Sequence, residues 1–102
     1  MRTRLHRVLG AALLSLVVFG CGPTLYAVNA GAASGVIEEA KHAGAPEHAP
    51  YEYYYASEHL LKAREEAAEA NYEDAIRFAT TAEEYGTKAR DLARRRMREM
   101  GR

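Results

Sequence analysis

Cys21 is the residue whose type and position most clearly predict covalent chemistry. It is the single cysteine among 102 residues, so no disulfide can form within the chain. Three arginines lie in the first seven residues, and an uncharged, mostly apolar run, residues 8–19, separates them from Gly20 and Cys21. A cysteine thiolate is a nucleophile that can accept a lipid. A basic start, a short apolar run and a small residue before the cut are typical of a secretory signal peptide.

The residues around Cys21 predict how this segment is processed. Val18, Phe19, Gly20 and Cys21 resemble the bacterial lipobox, with Phe19 bulkier than is usual at its position. The resemblance implies diacylglycerol on the Cys21 sulfur, cleavage before Cys21 and acylation of the new amino terminus. Two or more acyl chains give stable anchoring. An ordinary cleaved signal peptide with a chance cysteine and an uncleaved signal anchor are the alternatives. In lipoproteins of this kind, aspartate directly after the cysteine implies retention in the inner membrane. This chain has Gly22 at that position, which resembles lipoproteins of the outer membrane.

Arginines at the other end of the chain predict a contact with anions. Arg94, Arg95, Arg96 and Arg98 are accompanied by one acidic residue, Glu99. A solvated helix end is the plainer interpretation, because cations are favourable near the carboxyl terminus of a helix. The functional interpretation is binding to peptidoglycan carboxylates or to another envelope protein.

A run of aromatic residues at positions 51–55 predicts a second contact surface. Tyr53 and Tyr54 are the candidates for binding a partner, and we expect Tyr53 to stay exposed. For most of these tyrosines the favoured interpretation is packing against the first helix of the domain, since large aromatic side chains can cover a core of small residues.

Other kinds of chemistry are not predicted. No Ser/His/Asp arrangement and no glycine-rich phosphate loop can be assembled, so we expect no enzyme, no catalytic residue and no small-molecule substrate. His42, His48 and His59 lack the spacing of a helical metal site, so we expect no metal, and no cofactor beyond the covalent lipid. Basic and acidic residues number 14 each, and loss of residues 1–20 leaves a net charge of −3. That balance excludes the basic profile of nucleic-acid-binding domains.

The pattern of the remaining residues predicts an all-α fold in one small domain. We expect a signal peptide at residues 1–20, the lipidated cysteine and a short tether at 21–23, and an alanine-rich helical domain at 24–102. Its helices are predicted at about 24–42, 51–70 and 72–100. Gly22 and Pro23 are expected to interrupt any helix before residue 24. Asn71 is expected to cap the third helix with its side chain.

Small residues repeat on one face of each of the last two helices, at alternating spacings of four and three. This predicts an antiparallel hairpin with a close seam, to which the first helix is added in a three-helix arrangement. Gly86 is placed on that seam, where a glycine that weakens the helix has a packing reason. The seam residues are Ala56, Leu60, Ala63, Ala67 and Ala70, then Ala75, Ala79, Ala82, Gly86, Ala89 and Ala93.

Two family resemblances agree with this arrangement. Residues 70–82, with Asn71-Tyr-Glu-Asp-Ala-Ile, resemble the second helix of a tetratricopeptide repeat, although a single helix pair does not make a solenoid. The run from Gly44-Ala through Ala49-Pro-Tyr51-Glu, together with the later alanines, resembles domain-of-unknown-function family 4398. That family implies a helical domain of the bacterial envelope, found in lipoproteins, and no catalytic residue.

These features together predict a non-enzymatic envelope lipoprotein. We expect it to be held by its lipid in the outer membrane, facing the periplasm, with a structural role or a contact with peptidoglycan or an envelope protein. The alternative is an adaptor or accessory subunit that binds a partner protein through the tetratricopeptide-like hairpin. The partner and the oligomeric state are left open by the sequence.

Overall fold

Four helices and no strand make up the part of the chain that the structure describes. This computed structural model describes residues 2–101, with side chains for all of them except residues 10–20. The helices are α1 (Arg2–His42), α2 (Ala45–His48), α3 (Pro50–Ala68) and α4 (Tyr72–Met100). The all-α class is confirmed. Helix α4 is central, because it packs against both α1 and α3.

Ring contacts give the relative direction of α3 and α4. The ring centroids of Tyr55 and Tyr85 are 4.2 Å apart, and those of His59 and Phe78 are 6.0 Å apart. Residue numbers therefore fall along α4 as they rise along α3. The two helices run in opposite directions, joined by a turn of three residues, 69–71.

Helices α1 and α4 run in the same direction. Thr80 Oγ1 lies 3.5 Å from Asn29 Oδ1, and further along Arg90 Nη1 donates to Glu39 Oε2 at 2.8 Å. The carboxyl ends of α1 and α4 consequently lie at one end of a rod with extents of 78 × 23 × 14 Å. Cys21 precedes the contacts at the other end of the bundle.

The core is built mainly from alanine. Every predicted small residue of α4 is buried, which confirms the stripe on that helix. Ala56, Leu60 and Ala63 of α3 are buried as predicted, whereas Ala67 is half-buried and Ala70 is exposed. Alanine buries little apolar area, but it allows helix axes to approach closely. The larger buried side chains are few and come from Val36, Ile37 and Leu60.

The atoms closest to Gly86 belong to α1, whereas the seam prediction placed this glycine between α3 and α4. A Cβ built at Gly86 would lie 2.8 Å from Val36 Cγ1 and 3.1 Å from Ile37 Cγ1. The prediction treated α3 and α4 as a pair with one shared seam. In the structure the small-residue stripe of α4 is divided between two neighbours, and the closest approach is made by the first helix.

The beginning of α1 differs from the sequence-based expectation. Pro23 lies inside α1, which runs without interruption from Arg2 to His42, so Gly22 and Pro23 do not end a helix. Proline removes one backbone donor from a helix and crowds the preceding turn, but the residues on both sides of Pro23 remain helical.

The predicted connection between the first two long helices contains the short helix α2. Gly44 precedes it with φ +84°, a left-handed conformation that favours glycine. Ala45 is the first residue of α2 and Ala49 directly follows this helix. Both are buried in one cluster with Ala89 and Ala93 of α4. This connection therefore closes the core at the end of the bundle where α1 and α4 end.

The turn between α3 and α4 is held by backbone hydrogen bonds, not by the predicted side-chain cap. Ala70 has φ +61°, its N–H donates to the Ala67 carbonyl, and the Asn71 N–H donates to the Glu66 carbonyl. This is the Schellman arrangement of a helix carboxyl terminus. The Asn71 side chain makes no capping hydrogen bond to α4, and its Nδ2 donates back to Glu66 Oε2 at 3.1 Å.

Candidate functional site

Cys21 is exposed and lies where α1 first meets the rest of the bundle. A Cβ built at the next residue, Gly22, would lie 3.2 Å from Tyr72 Cβ. The rings of Tyr26 and Tyr72 follow, with centroids 6.4 Å apart. The predicted cleavage residues Val18, Phe19 and Gly20 lie within 10–20, outside the part of the chain whose side chains are described.

The described side chains before and after Cys21 differ in burial. Residues 2–9 are all exposed, and the first buried residue along the chain with a described side chain is Ala33. Leu5 and Val8, although apolar, are 63% and 67% exposed. The described core of the domain is thus supplied by residues that follow Cys21. Within the described residues, no helix has an apolar stretch long enough to cross a membrane.

Arg90 stands at the beginning of the basic end of α4 and is already paired. Its guanidinium donates to Asp91 Oδ1 at 2.9 Å and to Glu39 Oε2 at 2.8 Å. These hydrogen bonds, the one with Asp91 first, raise the pKa of Arg90 above its ordinary value. Arg90 therefore ties α1 to α4 and neutralises the carboxylate of Glu39.

The four predicted anion-binding arginines do not form one site. Arg96 donates to the backbone carbonyl of His48, so it secures α2 to α4. Arg95 lines a second depression together with Lys88 and the acidic residues Glu52 and Asp91. Only Arg94 and Arg98 share a groove.

We call this depression the α1–α4 groove. It is open to solvent, measures about 510 Å³, and is lined by Glu39, His42, Ala43, Arg94, Met97 and Arg98. Arg94 and Arg98 are exposed, and among the described residues neither side chain has an ion pair or a hydrogen bond. Sequence reasoning missed the residues from α1 and Met97. The i, i+4 spacing of the two arginines could have paired them, but nothing local in the sequence brings residues 39–43 beside them.

The tyrosines divide differently from the prediction. The buried residues form two core clusters, one around Ile37 and Leu60 and the other around Ala49 and Ala89. Tyr53 is half-buried and packs against both core clusters, so the expectation that it stays exposed was wrong. Tyr54 is 54% exposed, and its ring meets the Tyr53 ring edge-on at 5.1 Å. Tyr51 is also exposed. The position of Tyr53 on α3 directs its side chain toward α1 and α4. For this residue the structure therefore agrees with packing in the core and not with an exposed contact surface.

The three histidines of the domain lie apart from one another in structure and in surroundings. His42 Nε2 lies 3.4 Å from Glu38 Oε1, and the His59 ring stacks on Tyr55 at 4.1 Å. His48 is in α2, at the end of the bundle. Among the described residues, no group of three or more His, Cys, Asp or Glu side chains is placed to hold a metal ion.

Comparison with known proteins gives one family. A family model described as a domain of unknown function (DUF4398) matches residues 30–101, more than two thirds of the chain. The match begins three residues before the first buried residue with a described side chain and includes α2, α3 and all of α4. Neither a curated protein nor a solved structure matches the chain.

Proposed function

The chain belongs to the DUF4398 family, and we propose that it is a bacterial envelope lipoprotein, anchored by a lipid on Cys21, that acts by contact and not by catalysis. One observation carries the proposal. Residues 2–9 are exposed and take no part in the described core, whereas Gly22, directly after Cys21, lies against Tyr72 of α4, and buried residues follow from Ala33 onward. Cleavage before Cys21 would remove residues 2–9, none of which contributes a side chain to the described core. It would leave the family-matched region intact.

The position of Pro23 supports cleavage at this point. In the interior of a helix, a proline costs about 3 kcal/mol or more, because it removes a backbone hydrogen bond and crowds the preceding turn. After cleavage before Cys21, Pro23 would lie in the first turn of α1. The first four N–H groups of a helix have no helical acceptor, so a proline there costs no hydrogen bond.

The parallel course of α1 and α4 supports a contact away from the membrane. A lipid on Cys21 would hold one end of the bundle at the bilayer surface. Helix α4 has 29 residues, a length of about 43 Å, and its arginine-bearing end is opposite to Cys21. In an outer-membrane lipoprotein that faces the periplasm, this end would extend toward the cell wall.

A second candidate function is an adaptor that binds a partner protein through α3. Tyr54 and Leu61 favour it, because they are 54% and 56% exposed and their spacing of seven places them on one side of the helix. A photo-crosslinking residue at position 61 would test the adaptor in intact cells. A specific protein adduct would support this candidate, and its absence, with adducts to cell wall from position 98, would support the first.

Metabolic labelling tests the lipid anchor. Cells that express the wild-type chain or Cys21→Ser would be grown with radiolabelled palmitate, with Ser34→Ala as a matched control because Ser34 is also exposed on α1. We expect label and membrane association in the wild type and in Ser34→Ala, and neither in Cys21→Ser. Equal labelling of all three chains would overturn the anchor.

A further inference from the structure

The α1–α4 groove joins the ends of two helices at the point farthest along the bundle from Cys21. One wall is the last turn of α1 with Ala43, and the other is the face of α4 that carries Arg94, Met97 and Arg98. From Cys21 to Glu39 the helix rises by about 27 Å. The groove therefore lies well clear of any membrane surface at the anchor.

The arginines of the groove are free to bind a ligand, whereas its acidic residue is already paired. Glu39 is occupied by Arg90, and His42 lies beside Glu38. Arg94 and Arg98 keep their guanidinium groups unpaired within the described residues. The groove consequently offers cationic donors to a ligand, while its acidic wall is already neutralised.

The chemistry of the guanidinium group indicates which class of anion the groove would bind. The planar fork of arginine matches the two oxygens of a carboxylate, and such paired hydrogen bonds are among the stronger ones in proteins. Two arginines separated by one helical turn can hold one carboxylate between them or two neighbouring carboxylates.

Met97 and Ala43 give the groove an apolar part, which favours a ligand with apolar groups. Met97 is 48% exposed and lies between the two arginines in the sequence, with Ala43 on the facing wall. Methionine adapts its shape to apolar partners. A volume of about 510 Å³ is within the range of small-ligand sites, and it suits a few residues with short aliphatic side chains.

We propose that the α1–α4 groove binds the carboxylates of short aliphatic peptide stems in the cell-wall polymer, with Arg94 and Arg98 as the donors and Met97 as the apolar contact. This rests on the proposed envelope function, which supplies the polymer as the surface that the groove faces. The positive charge of the groove fits the carboxylate at the end of a peptide stem, and its small apolar part fits the alanine-like residues of that stem.

The test is sedimentation of the full chain, purified in mild detergent, with isolated cell-wall sacculi. The test variant is Arg94→Ala/Arg98→Ala. The matched control is Arg95→Ala/Arg96→Ala, which removes the same charge from the same helix end outside the groove. Sacculi whose carboxylates have been amidated chemically form a second arm. Thermal unfolding of both variants is measured first, and the test variant is expected to melt like the wild type because its two arginines are exposed.

We expect the test variant to bind at least about ten-fold more weakly than the wild type, the loss of one charge-assisted contact. The control is expected to stay within about three-fold, and amidated sacculi to retain no protein. Equal losses in the two variants would indicate generic attraction to a basic helix end and overturn the proposal, as would no loss in either variant or full retention on amidated sacculi. Intact mass of the same preparation reports the lipid independently, so failure of the groove and failure of the anchor are distinguished.

Discussion

Replacing Gly86 with alanine tests the contact on which the packing of α1 depends. The new Cβ would lie 2.8 Å from Val36 Cγ1 and 3.1 Å from Ile37 Cγ1, closer than carbon atoms approach without strain. Both neighbours are β-branched, and their χ1 angles are nearly fixed in a helix. These two Cγ1 atoms cannot rotate away, so α1 must shift from α4.

The expected size follows from two opposing effects. Alanine in place of glycine stabilises a helix interior by about 1 kcal/mol, whereas forcing an extra methyl group into a packed core costs about 1–3 kcal/mol. Because two neighbours are crowded at once, we expect an overpacking cost in the upper part of its range, about 2–3 kcal/mol, and therefore a net loss of roughly 1–2 kcal/mol. For a domain of this size, that lowers the melting temperature by roughly 4–15 °C.

Gly31 provides a matched control on α1. A Cβ built there meets no atom within 4 Å, so Gly31→Ala should show the helix-propensity gain alone and raise stability by about 0.5–1 kcal/mol. Thermal unfolding followed by far-ultraviolet circular dichroism measures both variants. The reasoning is refuted if Gly86→Ala melts at or above the wild type, or if the two variants shift in the same direction. In Gly86→Ala/Val36→Ala, the combined loss should be smaller than the sum of the single losses.

Two further predictions use the same unfolding assay. Ala70→Gly should raise stability by about 0.5–1 kcal/mol, because Ala70 has φ +61° and the left-handed region penalises a Cβ; a loss would mean that the turn is held differently. Tyr53→Ala should cost about 2 kcal/mol, because Tyr53 packs on both core clusters, whereas Tyr54→Ala should change stability by less than about 0.5 kcal/mol. Equal effects of the two tyrosine variants would contradict the assignment of Tyr53 to the core.

The features that the sequence predicted well depend on local periodicity. The buried alanines of α4 and most of those of α3 follow from spacings of three and four, which place side chains on one helix face. The helix boundaries near Pro50 and Tyr72 follow from proline and turn residues. The basic end of α4 was also visible, because a count of neighbouring charges needs no tertiary structure.

The features that it missed depend on long-range contacts. Gly86 was assigned to the wrong neighbour, since no local pattern states that Val36 and Ile37 lie against it. The α1–α4 groove was missed for the same reason, because its walls are about fifty residues apart in the chain. Asn71 was expected to cap α4, but the backbone turn directs its side chain to Glu66.

Intact mass spectrometry of the protein extracted from bacterial membranes tests the central claim, the anchor at Cys21, most directly. The account predicts a chain that begins at Cys21 and carries the added mass of diacylglycerol, with or without a further acyl group on the amino terminus. The Cys21→Ser chain should lack this mass. A wild-type chain that begins at another residue, or that begins at Cys21 with an unmodified thiol, would contradict the account.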